Sequence, residues 1–133
     1  MNDQQKQIAQ QCRQGAEDNT MLFPEIVVQL VQAGFERYAV DFCNATVTHY
    51  LSCGESLILE TPREEISIPE HFDADAVQAA IKEAQMKVAG YSYKSFRKKV
   101  MAAGCVGYTV SFLGKRAVYF GRTGETYVEH FPQ

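Results

Sequence analysis

Two glutamates recur in the same short step of the sequence, and pairs of carboxylates often serve in general acid–base catalysis. Glu55 and Glu125 each follow a glycine, Gly54 or Gly124, and lie 70 positions apart. Two carboxylates in different surroundings can divide the roles of acid and base. A glycine–glutamate step is also typical of a tight turn whose glutamate is solvated or bonds the backbone. We expect this second role for both residues.

Three side chains of zinc-ligand type fall within eleven residues, namely Cys43, His49 and Cys53. Tetrahedral zinc sites use more closely spaced cysteines and need a fourth ligand. The four cysteines of the chain include no Cys-x-x-Cys pair, which favours free thiols over a disulfide framework. We therefore expect neither a metal nor any other cofactor.

A cysteine and a histidine near the C-terminal end could form a thiolate–imidazole nucleophile if the fold brought Cys105 and His130 together. Cys105 aligns with the apolar Phe35, however, which favours a buried thiol that packs as a small hydrophobe. A polar pocket that gathers Glu125, His130 and Cys105 would indicate a small enzyme. The sequence has no phosphate-binding glycine loop, no His-Glu-x-x-His motif and no nucleophile elbow, and this favours a non-enzymatic role.

The charges of the chain are divided unequally between its two ends. Residues 1–70 carry a formal net charge of −7, whereas residues 71–133 carry +4. A basic face with interleaved tyrosines suits contact with phosphates, which makes nucleic-acid binding a candidate function. A solvated helix face, or a basic half that complements its acidic sibling within the monomer, explains the same charges and is favoured. The candidate phosphate contacts are Lys94, Arg97, Lys98, Lys99, Arg116 and Arg122.

The elements that position these residues occur twice. Residues 22–62 align without a gap with residues 92–132, and eight of the 41 aligned positions are identical, against about two or three expected from ordinary composition. This offset of 70 predicts an internal duplication. The identical pairs are Ala33/Ala103, Gly34/Gly104, Tyr38/Tyr108, Val40/Val110, Phe42/Phe112, Gly54/Gly124, Glu55/Glu125 and Pro62/Pro132.

Each copy predicts the same local structure. An amphipathic helix ends at Gly34 or Gly104, and the alternating aromatic and β-branched residues that follow predict a half-buried strand. A turn with Asn44 or Gly114 at a residue of positive φ leads to a second strand. Another turn leads to a third strand. The predicted unit is one helix followed by a three-stranded antiparallel meander.

A further helix is predicted before each copy. The later one places Val77, Ile81, Ala84 and Val88 on one face, with an aspartate to cap its start, whereas the earlier one shows only Ile8 and Cys12 at similar spacing. We predict an α+β fold in which residues 1–62 form the first repeat, residues 63–72 a surface linker and residues 73–133 the second repeat. Because each meander alone offers a marginal core, the two repeats are expected to form one cooperative unit.

Two stretches carry a resemblance to a known family: "QAGFERYAVDF" and "AAGCVGYTVSFLGKRAVYFGRTGETYVEHFP", the second preceded by Tyr91, Ser92 and Tyr93. The chain resembles the YdfO-like family of small bacterial proteins, several of them prophage-encoded, which are classed as a domain of unknown function. The resemblance covers nearly the whole chain. It implies a fold and a prophage context, and it carries over no catalytic residue.

No apolar run approaches the roughly 18 residues needed to span a bilayer, and the first eleven residues are polar. These features predict a cytoplasmic protein without membrane contact. The leading functional hypothesis is a prophage-derived accessory protein that binds another protein or a second copy of itself. The alternatives are nucleic-acid binding through the basic second repeat, and a small enzyme with a site between the repeats.

Overall fold

The computed structural model describes residues 1–86 and 89–131. Within these residues four helices and six strands form an α+β fold, which confirms the predicted fold class. Two residues used in the sequence argument, Val88 and Pro132, lie outside the described residues. The helices are α1 (Asp3–Glu17), α2 (Phe23–Gln32), α3 (Ala74–Met86) and α4 (Tyr93–Ala102). The strands are β1 (Phe35–Asp41), β2 (Thr46–Leu51), β3 (Ser56–Glu60), β4 (Cys105–Ser111), β5 (Arg116–Gly121) and β6 (Thr126–His130).

Three of the helices begin with a polar side chain that accepts a hydrogen bond from the first turn. Asn2 Oδ1 accepts from the Gln5 backbone N–H at 2.8 Å, and Ser92 Oγ accepts from the Ser95 N–H at 3.0 Å. The predicted aspartate cap of α3 is confirmed, since Asp73 Oδ1 accepts from the Ala76 N–H at 3.1 Å. These bonds satisfy backbone donors that a helix start leaves unpaired.

All six strands belong to one antiparallel sheet in the order β3-β2-β1-β4-β5-β6. The two meanders are therefore joined side by side through the pairing of β1 with β4. Ala39 faces Thr109 at the middle of that pairing, and these two positions are 70 residues apart. The two central strands are thus related by an approximate two-fold axis through this residue pair.

The turn after β1 and the turn after β4 differ from the prediction in one detail. Positive φ was expected at Asn44 and Gly114, but it occurs one residue later, at Ala45 (54°) and Lys115 (50°). The expectation was wrong because a side chain fixes the residue at the earlier position of each turn. In the first turn Asp41 Oδ1 accepts hydrogen bonds from the backbone N–H groups of Cys43 and Asn44 at 2.9 and 3.1 Å. In the second turn Ser111 Oγ accepts one from the Gly114 N–H at 2.9 Å.

The glycines that end α2 and α4 have the left-handed conformation predicted for them, with φ of 101° at Gly34 and 97° at Gly104. Gly104 has a second constraint, because a Cβ there would lie 2.1 Å from the carbonyl oxygen of His71. The segment before α3 therefore packs directly on the end of α4.

The stretch predicted as a surface linker is anchored at its end. Phe72 is 4% exposed, and Ile66 and Ile68 pack partly buried against the core. Phe72 also lies so close to Gly121 that a Cβ there would meet its ring at 2.8 Å. The expectation of a linker that merely crosses the surface was wrong for these apolar residues, which the surrounding acidic residues and prolines had obscured.

The helices cover one face of the sheet and leave the other face open. Inward-facing strand residues belong to the buried core together with residues of all four helices. The middle row of the open face runs in register across the sheet as Ile58, Thr48, Ala39, Thr109, Val118 and Val128. Among the helices of residues 1–86 and 89–131, none is both long and apolar enough to cross a membrane.

Candidate functional site

A large cavity lies between the helix layer and the sheet. Its volume is about 1210 Å³, which is above the range of roughly 300–1000 Å³ usual for small-molecule sites. Residues of β1, β2, β4 and β5 form the floor, and all four helices contribute to the walls. The floor residues include Tyr38, Val40, His49, Tyr108, Val110 and Tyr119.

Tyrosine rings dominate the floor. Tyr108 stacks on Tyr119 with ring centroids 4.9 Å apart, and its hydroxyl lies 2.7 Å from the hydroxyl of Tyr93. Burial raises the pKa of Tyr93 to about 12 and holds the pKa of Tyr38 and Tyr119 well above the ordinary value. These hydroxyls therefore keep their protons at neutral pH, where they can donate hydrogen bonds within an otherwise apolar space.

One end of the cavity contains two buried nitrogen atoms without a hydrogen-bond partner in the described part of the chain. They are Nδ1 of His49 and Nε of Arg13. The His49 side chain is 3% exposed and packs against Phe35 and Tyr38, with ring centroids 5.7 and 5.8 Å away. A buried polar atom without a partner is costly and uncommon in folded proteins.

The protonation of His49 follows from its surroundings. Burial, and then the positive charge of Arg13, lower the pKa of His49 to about 4. The imidazole is therefore neutral at pH 7, with one nitrogen able to donate and the other able to accept a hydrogen bond. Arg13 is held in place because its Nη1 donates to the carbonyl oxygen of Glu60 at 2.8 Å.

The charged side chains that line the cavity within the described residues are Arg13, Lys115 and Glu129. Burial raises the pKa of Glu129, which accepts a hydrogen bond from Gln85 Nε2. When Glu129 is ionised, these three groups sum to one positive charge. The polar groups are thus unevenly placed, with a satisfied carboxylate from β6 and unsatisfied nitrogens from α1 and β2.

Exposed apolar residues of α2 and of the residue before it border the cavity. Leu22, Phe23 and Val31 line it and are 38%, 42% and 49% exposed. Phe23 contacts Phe131 edge to face, with ring centroids 5.4 Å apart. This contact links the start of α2 with the end of β6 at the rim, so the opening lies between elements of the two halves of the chain.

The three residues proposed from the sequence as a polar pocket do not come together. Cys105 pairs with Gly121 at one end of β5, whereas His130 pairs with Arg116 at the other end, about 17 Å away along the strand. Burial raises the pKa of the Cys105 thiol to about 11, which fits the expected buried hydrophobe. Glu125 is exposed and accepts a hydrogen bond from Thr123. Only His130 lines the cavity, at its rim.

The two glycine–glutamate steps lie at diagonally opposite corners of the sheet. Glu55 follows β2 and Glu125 follows β5, and the antiparallel pairing of β1 with β4 directs these turns in opposite directions. Glu55 forms an ion pair with the N-terminal amino group of Met1. The two carboxylates therefore share no acid–base site, and both glycines have the positive φ of the expected turns.

The cysteines and the histidine considered for zinc also lie apart. Cys43 and Cys53 are exposed, whereas His49 is buried in the cavity floor. Across the described ranges, residues 1–86 and 89–131, no group of three or more histidine, cysteine or acidic side chains could hold a metal ion. His49 thus belongs to the cavity.

The basic helix face predicted from the sequence needs a correction at its centre. The Arg97 side chain is 3% exposed, and its guanidinium binds Glu17 at 2.7 Å and Glu64 at 3.0 Å. It also lies over the Tyr93 ring, 5.4 Å from the centroid. Arg97 therefore cannot contact phosphate. It links the basic end of the chain to the acidic end, as the alternative explanation of the charges predicts.

The other candidate phosphate contacts do not share one surface. Lys94 and Lys98 are exposed one turn apart on α4, and the neighbouring Lys99 forms an ion pair with Glu83. Arg116 is on the open face of the sheet, and Arg122 follows the other end of β5, where its Nη1 donates to the Ile68 carbonyl oxygen at 3.2 Å. The expected patch therefore reduces to two lysines on the helix.

No protein-family model matches the chain, and a search of curated proteins found no significant match. The roles of its residues are accordingly argued from geometry.

Sequence reasoning missed the cavity and its polar end. One signal was present, because His49 occupies an inward-facing position of β2 whose counterpart 70 residues later is Tyr119. A histidine at such a position is a polar group on an apolar face. The contribution of Arg13 had no such signal, since α1 carries few apolar residues to indicate which side faces inward.

Proposed function

We propose that this protein binds a largely apolar small molecule in the cavity between its helices and its sheet. The observation that carries the proposal is the cavity itself, about 1210 Å³ in volume and floored by tyrosine rings. Concave apolar sites with a few convergent polar groups are the usual form of small-molecule sites. Contact with such a surface would remove much of a ligand's apolar area from water.

We further propose that the binding role is non-enzymatic and accessory. In this role a protein partner, or a second copy of the chain, recognises the ligand-bound form. The separation of Cys105 from His130 supports a non-enzymatic role, because the two residues pair with opposite ends of β5 and cannot form a nucleophile together. The prophage context and the YdfO-like family remain part of this proposal through the sequence resemblance.

The proposed origin of the site is an internal duplication. The bounds of α2, β1, β2 and β3 recur in α4, β4, β5 and β6 at an offset of 70 residues. The helices before them differ, because the buried Ala9 and Cys12 of α1 correspond to Val77 and Ala80 of α3 at an offset of 68. On this proposal the cavity formed when two copies of one unit joined side by side through β1 and β4.

Binding is tested with N-phenylnaphthylamine, a neutral fluorophore whose emission rises in apolar surroundings. The matched pair of variants is Ala84→Phe and Ala79→Phe, both on α3. Ala84 is half-buried and lines the cavity, whereas Ala79 lies on the exposed side of the same helix. We expect Ala84→Phe to weaken binding at least tenfold and Ala79→Phe to leave it within about twofold, because only the first ring occupies the site.

Two results would contradict the proposal. The first is that the native chain does not raise the emission of the fluorophore at micromolar protein. The second is that both variants bind it as the native chain does, which would place the fluorophore outside the cavity. Urea denaturation of both variants establishes that they are folded before binding is compared.

Nucleic-acid binding is supported less well by the geometry than ligand binding. Of the six candidate contacts, Arg97 is buried in an ion cluster and Lys99 is paired. Lys94 and Lys98 offer at most two phosphate contacts on α4, which is few for a protein whose affinity depends on counterion release.

A further inference from the structure

The cavity has one end whose polar groups lack partners, and those groups indicate what a ligand must carry. Nε of Arg13 and Nδ1 of His49 are both buried without a hydrogen-bond partner in the described residues. Arg13 Nε is always a donor, since the guanidinium does not lose its proton in proteins. Neutral His49 can present Nδ1–H as a second donor.

We propose that the ligand is an aromatic carboxylate whose carboxylate group accepts hydrogen bonds from Arg13 and His49, an inference that rests on the proposed binding function of the cavity. A carboxylate offers two oxygens and about four acceptor positions, so it can accept hydrogen bonds from more than one donor. Hydrogen bonds between a guanidinium and a carboxylate are about twice as strong as neutral ones.

The electrostatics of the cavity favour an anion. Arg13 and Lys115 outnumber Glu129 among its charged lining residues in the described part of the chain. Glu129 already accepts a hydrogen bond from Gln85. Unlike the two nitrogens, this carboxylate therefore does not lack a hydrogen-bond partner. The guanidinium of Arg13 makes no ion pair with a carboxylate in these residues, and its one hydrogen bond goes to the neutral carbonyl of Glu60.

The apolar part of the ligand is assigned from the remaining walls. The rings of Tyr38, Tyr108 and Tyr119 form a continuous surface in which neighbouring centroids are 4.9 and 6.5 Å apart. Such spacings are those at which aromatic rings pack edge to face or stacked with an offset. A planar aromatic ligand can therefore add to the existing set of rings while its acidic group reaches β2 and α1.

The inference is tested by calorimetric titration of the full chain with three probes of nearly equal shape: β-naphthoate, β-naphthamide and β-naphthylmethylammonium. We expect the carboxylate to bind at least tenfold more tightly than the neutral amide, and the cation to bind most weakly. The amide keeps the apolar contacts and a single acceptor oxygen. The difference in affinity between naphthoate and naphthamide therefore measures how much the negative charge contributes to binding at this end of the cavity.

Variants locate the anionic group. We expect Arg13→Met to bring the affinity for naphthoate down to that for naphthamide, with the affinity for naphthamide changed by less than about threefold. Arg63→Met is the matched control, because Arg63 is exposed, donates to a backbone carbonyl and does not line the cavity. It removes the same charge and should leave both affinities unchanged.

His49→Phe keeps an aromatic ring in the floor, as Tyr119 does at the corresponding position of the second half. We expect this variant to reduce naphthoate affinity about tenfold, since one hydrogen bond to a charged group is lost.

The outcomes separate the inference from the function on which it rests. If the neutral fluorophore binds in the cavity but naphthoate gains nothing over naphthamide, the carboxylate assignment is wrong and the binding function stands. A preference for the cation, or unchanged naphthoate affinity in Arg13→Met, would also overturn the assignment. If neither the fluorophore nor any of the three naphthyl probes binds, the binding function itself is wrong.

Discussion

The two halves of the molecule, residues 1–62 and 73–131, share a backbone plan but differ in the polar groups that they place inside. The bounds of the helix and three strands recur at an offset of 70, and so do the glycines that end α2 and α4. Where the first half has Val27, Leu59 and His49, the second has Arg97, Glu129 and Tyr119. All of these second-half residues are at least partly buried.

This difference indicates which positions the fold requires and which it leaves free. Left-handed glycines and alternating apolar residues recur because the backbone geometry demands them. The backbone geometry does not require a particular side chain at the interior polar positions, so these residues differ between the halves. The result is a nearly symmetric sheet beneath an asymmetric cavity, with one end shaped by His49 and the other by Glu129.

The largest expected effect comes from separating the halves. Residues 71–133 alone would expose the edge of β4 that now pairs with β1, and would leave Arg97 without Glu17 and Glu64. We expect this fragment to show no cooperative unfolding transition by circular dichroism. A fragment that unfolds cooperatively and resists proteolysis would show that each half is a domain in its own right.

Removal of Arg97 is the next largest expected effect. Arg97→Ala leaves the carboxylates of Glu17 and Glu64 in their buried positions without a cation, and breaking a buried ion pair in this way costs about 3 to 5 kcal/mol. Urea denaturation measures the change in the free energy of unfolding. The exposed neighbour Lys98, replaced in the same way, should change it by no more than about 0.5 kcal/mol. Equal stabilities of the two variants would show that the cluster does not join the halves.

The pH dependence of stability should reveal His49, the residue that Tyr119 replaces in the second half. Its pKa falls from an ordinary value of 6.5 to about 4 in the fold, so the unfolded chain binds a proton in this window and the folded chain does not. The free energy of unfolding should therefore fall by roughly 3 kcal/mol from this group as the pH drops from 6.5 to about 4. More than about one pH unit above 6.5 the group should have no effect, because it is then neutral in both states.

The variant His49→Phe isolates that contribution from the titration of carboxylates. Its free energy of unfolding should decline less than that of the native chain over the same interval. If the two curves stay parallel from pH 6.5 to 4, His49 is not buried in its neutral form, and the description of this end of the cavity is wrong.

The smallest expected effect concerns the charges that remain on the surface of the second half. Lys94 and Lys98 are exposed, and two phosphate contacts would give a log–log salt slope no steeper than about −2. We expect no binding of short DNA or RNA at micromolar protein and about 50 mM salt, with or without Lys94→Glu and Lys98→Glu. Micromolar binding with a slope near −3 that the two substitutions flatten would restore the nucleic-acid hypothesis.

Much of the fold could be predicted because it rests on local patterns. Gly34 and Gly104 indicated the helix ends, and the alternation around Val40 and Val110 indicated the strands. The pairing of β1 with β4 could not be predicted, because it joins residues about 70 positions apart whose outward faces carry no distinctive pattern. Arg97 was predicted to be exposed for a similar reason, since its partner Glu17 is 80 positions away.

The cavity was still less accessible to sequence reasoning. Its lining residues, such as Tyr38 and Tyr108, are apolar or aromatic and are equally consistent with a filled core. Whether apolar faces close completely depends on how far apart the layers lie, and no pattern of residue types states this distance. His49 offered the one available signal, an imidazole at an inward-facing strand position.

The central claim is tested most directly by a crystal structure of the full chain grown with a bromonaphthoate, whose bromine is located by anomalous scattering. We expect a bromine peak between the helices and the rings of Tyr108 and Tyr119. We also expect the carboxylate within about 2.7 to 3.2 Å of Arg13 Nε. A bromine on the open face of the sheet, or a carboxylate directed away from Arg13 and His49, would contradict it.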